Sequence, residues 1–224
     1  MDIFQKQRKL LVESLLANRY IKSEAVKKAM MKVRRELFVL SGYQANAYQD
    51  IPLPIPPVDE DTATISAPTV HAMMLEGLRL KKGDKVVEIG CGSGIMLAYM
   101  KEIVGKKGEV FGVEIQKSTW DFAKERLKKS GYDKKVKLIL GDGSIGLKNH
   151  APYDKILISA AAPSLPEPIR RQVRVGGIIV AVIGTSRFNQ ELIQFEKNDD
   201  ETFSKRNLGS VIFVQLKGRF GFHG

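Results

Sequence analysis

Glycines recur at alternate positions in Val86-Val87-Glu88-Ile89-Gly90-Cys91-Gly92-Ser93-Gly94, after a β-branched apolar run and before Ile95-Met96-Leu97-Ala98-Tyr99-Met100. A strand that enters a Gly-rich turn opening a helix is where open α/β sheets bind nucleotide-like ligands. A dinucleotide fingerprint requires a third glycine five positions after the first, and position 95 is Ile. Glu88, just ahead of the turn, would repel a pyrophosphate seated on the helix N-terminus. The same carboxylate suits a ligand that carries a sulfonium and an ammonium and no phosphate, namely S-adenosylmethionine. A plain tight turn between strand and helix is the competing reading.

In an open parallel sheet, further ligand contacts lie at the carboxyl ends of the neighbouring strands. Glu114 follows Gly90 by 24 positions, near the roughly 20-residue spacing at which an acid grips ribose hydroxyls. Gly141-Asp142-Gly143 sets a carboxylate between two glycines, where it could accept from an adenine amino group. Singly, each acid also suits a solvated loop; at successive strand ends they point together to an adenosyl group. The fourth strand end, Ser159-Ala160-Ala161-Ala162-Pro163, can neither accept amino protons in number nor stack a ring, which argues against methylation of an exocyclic or amide nitrogen. The remaining chemistry lies in the hydroxyl-rich stretch Thr62-Ala63-Thr64-Ile65-Ser66. Folded over the glycine turn it would face the methyl group; equally, Ser66 would cap a helix entered through Pro68. Cys91 inside the turn reads as a small filler residue.

The composition narrows the classes. The 224 residues, 43% of them hydrophobic, suit one domain with a full core. A single cysteine excludes a disulfide framework, and the scattered His71, His150 and His223 make a metal site unexpected. Neither a long apolar run nor a signal-peptide pattern at Met1–Lys6 is present, so a soluble cytoplasmic protein is expected. The net charge of +11 fits nucleic acid or acidic substrates. Residues 1–40 hold ten Lys/Arg against four acids, which also fits a solvated helix face.

The positioning elements follow from periodicity. Residues 3–17 set Ile3/Phe4, Leu10/Leu11 and Leu15/Leu16 at helical spacing, and Ser23 caps a second helix with Val26, Ala29/Met30 and Val33 on one face. The proline-rich Ile51–Pro57 forbids a helix or central strand. Thr69–Leu78 reads as a helix. Strands are expected at 85–89, 109–114, 135–140, 154–159, 178–183, 190–196 and 209–216, with helices near 95–104, 118–129 (capped by Ser118) and after Pro166, and a loop at 141–153. Early crossovers and a late hairpin indicate an α/β, doubly wound, mostly parallel seven-stranded sheet with an antiparallel tail.

Thr62-Ala63-Thr64-Ile65-Ser66-Ala67-Pro68-Thr69-Val70-His71-Ala72, the turn Glu88–Gly94, Gly141-Asp142-Gly143 and Ala151-Pro152-Tyr153-Asp154 together resemble the protein-L-isoaspartate (D-aspartate) O-methyltransferases. Arg35-Glu36-Leu37-Phe38-Val39, Ala47–Asp50 with Pro52–Ile55, and Gly176-Gly177 with Val182-Ile183-Gly184 fit as well, so the match runs from about residue 20 onward. The resemblance implies a class I, Rossmann-like methyltransferase in one domain: an N-terminal helical extension over 1–50, active-site loop and helix over 51–84, and cofactor core over 85–224. It places Ser66 at the active-site serine, and Ala63, Thr64, Ile65, Ser66 and His71 around the cofactor. Gly90, Gly92, Glu114, Ile115, Asp142 and Gly143 take the remaining cofactor positions, beside Glu88 and Gly94 of the turn. The implied reaction moves a methyl group from S-adenosyl-L-methionine to the free carboxylate of L-isoaspartyl or D-aspartyl residues in damaged proteins and leaves S-adenosyl-L-homocysteine. It further implies a monomer with no membrane or nucleic-acid partner. The family has a Gly and then a Gln ahead of Thr-Ile-Ser, whereas this chain reads Val58-Asp59-Glu60-Asp61-Thr62; three acids there would weaken capture of a carboxylate. Three alternatives therefore stand beside this reading: a methyltransferase of the same fold acting on RNA, one acting on a small molecule, and a cofactor-binding protein without isoaspartyl activity.

Overall fold

In the computed structural model, residues 2–57, 63–186, 189–199 and 202–222 are described. Helix α1 (Ile3–Ala17) starts at Asp2, whose carboxylate accepts from the Gln5 N–H, and α2 (Glu24–Lys32) starts at Ser23, whose side chain accepts from the Val26 N–H. The α2 face is as expected, with Val26, Ala29 and Met30 buried. On α1 the buried stripe is instead Arg8, Val12 and Leu15, while Ile3 and Leu10 are 62% and 56% exposed. Phe4, Leu11 and Leu16 pack partly buried against the same core, so only one member of each of the first two apolar pairs faces outward.

The proline stretch forms a ribbon of minimal length: β1 (Leu53–Pro54) pairs antiparallel with β2 (Thr64–Ile65), Leu53 opposite Ile65. Helix α3 (Pro68–Leu78) follows, with Pro68 at its first position, where the missing N–H is no loss. Its N-cap is Ala67, and the first-turn N–H of Thr69 is held from outside the helix by Asp50 Oδ1 at 2.8 Å, so the capping role considered for Ser66 is not realised.

From here strands and crossover helices alternate: β3 (Lys85–Ile89), α4 (Ile95–Val104), β4 (Glu109–Glu114), α5 (Lys117–Ser130), β5 (Lys137–Leu140), β6 (Tyr153–Ala162), α6 (Glu167–Gln172), β7 (Val173–Ser186), β8 (Asn189–Lys197) and β9 (Phe203–Ser210). The seven-stranded sheet has the order β5-β4-β3-β6-β7-β8-β9, parallel from β5 through β7 and antiparallel beyond. The order reverses between β3 and β6, which makes their carboxyl ends the switch point where ligands bind. Alternating side chains feed two cores. Val86 and Leu157 pack with the helices of the N-terminal half, and Val87, Ile89, Ile156 and Ile158 pack with Ile169 of α6.

Several boundaries depart from the periodicity, β6 and β7 among them, which run Tyr153–Ala162 and Val173–Ser186 rather than 154–159 and 178–183. Helix α5 begins at Lys117 with Gln116 as its N-cap, so Ser118 lies inside its first turn. The 141–153 loop holds two short 3₁₀ turns, Gly143–Ile145 and Lys148–His150. The last strand is Phe203–Ser210 rather than 209–216. Residues beyond it leave the sheet edge and return across β6, where Ala161 and Val214 join through main-chain hydrogen bonding and Leu216 N–H donates to the Ala161 carbonyl at 2.7 Å.

A buried polar knot ties α1 to this frame. Tyr48 Oη donates to Glu36 Oε2 and accepts from Arg8 Nε at 2.8 Å and from the Arg35 N–H at 3.2 Å. Arg8 also pairs with Glu36 at 3.6 Å. Tyr48→Phe leaves these groups short of a partner in a dry environment, so urea unfolding is expected to show a loss of about 1–3 kcal/mol. A midpoint equal to that of the parent would mean the knot contributes nothing.

Candidate active site

Gly90, Gly92 and Gly94 have φ of 78°, 53° and 80°, the left-handed region that glycine enters without steric cost. The turn is drawn onto β4 by the N–H groups of Gly90 and Cys91, both bonded to the Val113 carbonyl. Glu114 continues the attachment. Its Oε2 accepts from Gly92 N–H at 3.1 Å, and its Oε1 accepts from the N–H groups of Ile115 and Gln116 at 2.9 and 3.0 Å. Burial raises its pKa against the pull of these bonds. The carboxylate proposed for ribose thus organises the turn first, and keeps one lone pair on Oε2 for a hydroxyl.

Glu88 is the sharpest feature of the site. At 1% exposure it accepts one hydrogen bond, from Ser159 Oγ to Oε1 at 2.7 Å, and its Oε2 has no partner among the described residues. Burial pushes its pKa up to about 8, with a further upward push from the Glu114 charge and a downward pull from Ser159. A buried carboxyl oxygen with nothing to bond is a vacancy for a cationic donor. An α-ammonium fits it; a phosphate does not.

The β2 segment forms the roof. A small cavity of about 40 Å³ is lined by Thr64, Ile65, Ser66, His71 and Met74 on one side and by Glu88, Gly90 to Ser93, Met96 and Ser159 on the other. That volume takes the head of an amino acid rather than a whole nucleoside. A second cavity, about 460 Å³, lies on the other side of the same segment. Pro52, Thr64, Ser66, Ala67 and Val70 face Asn189, Gln190 and the returning chain Ser210–Phe213. Gln190 braces that far wall, its amide accepting from the Phe213 N–H at 2.6 Å and donating to the Phe213 carbonyl at 3.1 Å. Thr64 and Ser66 are common to both cavities.

Asp142 is less free than its place between two glycines suggests. Oδ1 accepts from Ser144 N–H and Oγ at 2.8 and 2.6 Å, and Oδ2 accepts from the Arg219 N–H at 2.9 Å. Phe220 N–H donates to the same Ser144 hydroxyl at 2.9 Å. Burial raises the Asp142 pKa, but the bonds from Arg219 and Ser144 outweigh it and hold the group below the usual range. The segment around residues 219–220 therefore closes over this strand end, a long-range contact that no local pattern announces.

The expected residues divide accordingly. Thr64, Ile65, Ser66, His71, Glu88, Gly90 and Gly92 line the inner cavity. Ile115, 39% exposed, and Asp142 follow the adjoining strand ends beside Glu114. Gly94 turns toward Leu127, Gly143 packs beneath Ile89, and Ala63 serves the ribbon through its carbonyl, which accepts from Ile55 N–H. Ser159 was visible as a strand-end residue, but its grip on Glu88 was not. Arg35, which bonds His71 and the Ser66 carbonyl, was not singled out for chemistry. Cys91 is buried with its thiol pKa pushed up by burial, consistent with a filler. The Val58–Thr62 stretch, with its three acids, lies outside the described residues.

The sequence model of the protein-L-isoaspartate(D-aspartate) O-methyltransferase family matches residues 6–221. The chain belongs to this family. A protein-L-isoaspartate O-methyltransferase of Methanothermobacter thermautotrophicus is 41% identical over 216 residues, covering 96% of this chain and 97% of the relative. That of Methanopyrus kandleri is 43% identical over 220 residues, covering 98% and 95%. Among solved structures, a protein-L-isoaspartate O-methyltransferase from Plasmodium falciparum in complex with S-adenosyl-L-homocysteine superimposes with a TM-score of 0.82 at 27% identity, covering 94% of this chain and 98% of that one. The sheet has the expected doubly wound form.

Proposed function

We infer that this protein transfers a methyl group from S-adenosyl-L-methionine to the free carboxylate of L-isoaspartyl, and D-aspartyl, residues in damaged proteins. The observation that carries the reading is the shared wall: Ser66 and Thr64 line both a cavity with an unsatisfied buried carboxyl and a larger one of about 460 Å³. Glu88 holds the ammonium of the cofactor, the glycine turn admits its chain, and Glu114, Ile115 and Asp142 flank its adenosine. When bound, the cofactor supplies the methyl group on a sulfonium.

The protein's own task is positioning. A carboxylate with a pKa near 4 is ionised at neutral pH, so its oxygen needs no strong base. Ser66 Oγ would donate to the carboxylate and hold one oxygen in line for methyl transfer. With the cofactor bound, that oxygen would take the methyl group to give a methyl ester, and the sulfonium would leave as a thioether with the bonding pair. The ester then closes on the following peptide nitrogen with loss of methanol, and the succinimide hydrolyses in part to normal aspartate.

The family membership and the 41–43% identity to isoaspartate methyltransferases over nearly the whole chain support this substrate class. The RNA alternative fares worse, because Ala160, Ala161 and Ala162, where a base would be held, are buried against the returning segment. No helix among the described residues is long and apolar enough to cross a membrane. We read the enzyme as a cytoplasmic monomer acting on exposed peptide segments. With radiolabelled S-adenosylmethionine, an isoaspartyl peptide should become labelled and its aspartyl twin should not. Cofactor binding without label in either peptide would leave a binding protein in place of an enzyme.

A further inference from the structure

We propose that Arg35 is a positioning residue for both halves of the site: it keeps the His71 proton on Nε2, facing the inner cavity, and pins the Ser66 loop by its main-chain carbonyl. This rests on the reading that the inner cavity takes the amino-acid head of S-adenosylmethionine.

Arg35 is 1% exposed, and among the described residues it forms no ion pair with a carboxylate. The neighbouring acid Glu36 is taken by Arg8, Arg34 and Tyr48. Instead, the guanidinium spreads over neutral groups: Nε donates to the Ala47 carbonyl at 2.7 Å, Nη2 to the Ser66 carbonyl at 2.9 Å, Nη1 meets His71 Nδ1 at 3.2 Å, and the Tyr99 hydroxyl is a further partner. A buried cation with only neutral partners is a costly arrangement. What it secures is geometric.

A guanidinium has donors and no acceptor, so Nδ1 of His71 must present its lone pair. The ring is buried, and both burial and the adjacent Arg35 charge hold it neutral. A neutral imidazole accepting at Nδ1 carries its hydrogen at Nε2. His71 lines the inner cavity together with Glu88, and the ring makes no other hydrogen bond among the described residues. The cavity thus presents an acceptor, Glu88, and a donor, His71, the pattern that recognises an ammonium and a carboxylate on one carbon. The same guanidinium fixes the peptide between Ser66 and Ala67, so the orientation of the serine hydroxyl and of the histidine donor share one support.

The test begins with the full-length wild-type protein, ¹⁵N-labelled at histidine and assigned by loss of the signal in His71→Asn. At pH 7 the His71 ring is expected as the neutral Nε2–H tautomer; the Nδ1–H form or an imidazolium would overturn the proposal without any Arg35 variant. In Arg35→Met both tautomers should be populated, S-adenosylhomocysteine should bind about tenfold more weakly, and kcat on an isoaspartyl peptide should fall by at least as much. Arg35→Lys keeps the charge without the planar fork and should shift the same readouts in the same direction if the methionine variant does not fold. A folded variant with the wild-type tautomer and wild-type kcat would overturn the proposal. If S-adenosylhomocysteine fails to bind the wild type, the cofactor reading fails; if it binds and the tautomer is wrong, only the role of Arg35 does.

Discussion

Ser66→Ala is expected to lower kcat on an isoaspartyl peptide by at least about tenfold, with an upper range near that of removing an oxyanion donor, about a thousandfold. S-adenosylhomocysteine affinity should stay within about twofold, since a hydroxyl at the edge of the cavity contributes little to a ligand held mainly elsewhere. The split is the informative part. Ser66 lies on the wall shared by the two cavities, so its hydroxyl can align the carboxylate without carrying the cofactor. Its main chain is held independently, by Arg35, and its side chain caps no helix. Truncation to alanine therefore removes the donor and leaves the loop in place. Calorimetry and a steady-state methylation assay on one preparation separate the two effects, and unchanged turnover would remove Ser66 from the mechanism.

The second large effect concerns protons. In the ligand-free protein the Glu88 carboxyl titrates at about 8, so near pH 7 it is mostly protonated. Placing an ammonium against its free oxygen favours the carboxylate, and cofactor binding near pH 7 should release most of one proton. Affinity then rises with pH toward about 8 and falls again above it, where the α-ammonium of the cofactor, with an ordinary pKa of roughly 8, loses its proton. Calorimetry in buffers of different ionisation enthalpy measures the release directly. Glu88→Gln should abolish it and weaken binding about ten- to a hundredfold, the worth of a hydrogen bond to a charged group. An absent release in the wild type would show that the ammonium does not meet Glu88. For the ligand-free protein the folding linkage has the opposite sense. The folded pKa lies above the ordinary carboxyl value, so the native state binds the extra proton and stability declines as pH rises toward and through about 8.

The parts of this protein that its sequence discloses are the local ones. The run of buried β-branched residues, the glycine turn and the strand-end acids each fall within a few positions, and β3, β4 and α4 occupy the expected spans. Where distant chain segments decide, the pattern misleads. Ser204, Lys205, Arg206 and Asn207 leave β9, an edge strand, polar and exposed on both faces, while the more apolar Val211–Phe213 looks like a strand and instead walls the larger cavity. An edge blunted with charge is a defence against unwanted pairing, and it hides the strand from periodicity. Arg35 stands in a stretch crowded with Lys and Arg that reads as a solvated face; only the fold shows that this member of the run is buried. Ser159 reads as a small residue ahead of three alanines, and its role depends on Glu88, 71 positions earlier.

The contact between Arg219 and Asp142 spans 77 residues, and this sets an order in time as well as in space. On the ribosome, the glycine turn, Glu88 and Glu114 emerge together and can assemble within the parallel half of the sheet. Asp142 follows, but the amides that occupy its carboxylate are still unmade. At synthesis rates of about 5–20 residues per second, the wait for Arg219 is roughly 4–15 s, given the 77-residue separation. During that interval the nascent enzyme has the polar floor of its cofactor site without the segment that closes its far end. The larger cavity is equally unfinished, since Ser210–Phe213 forms its far wall. The closure at Asp142 and the far wall of the larger cavity therefore both wait for residues 210–219, whereas every residue lining the inner cavity has been made by Ser159.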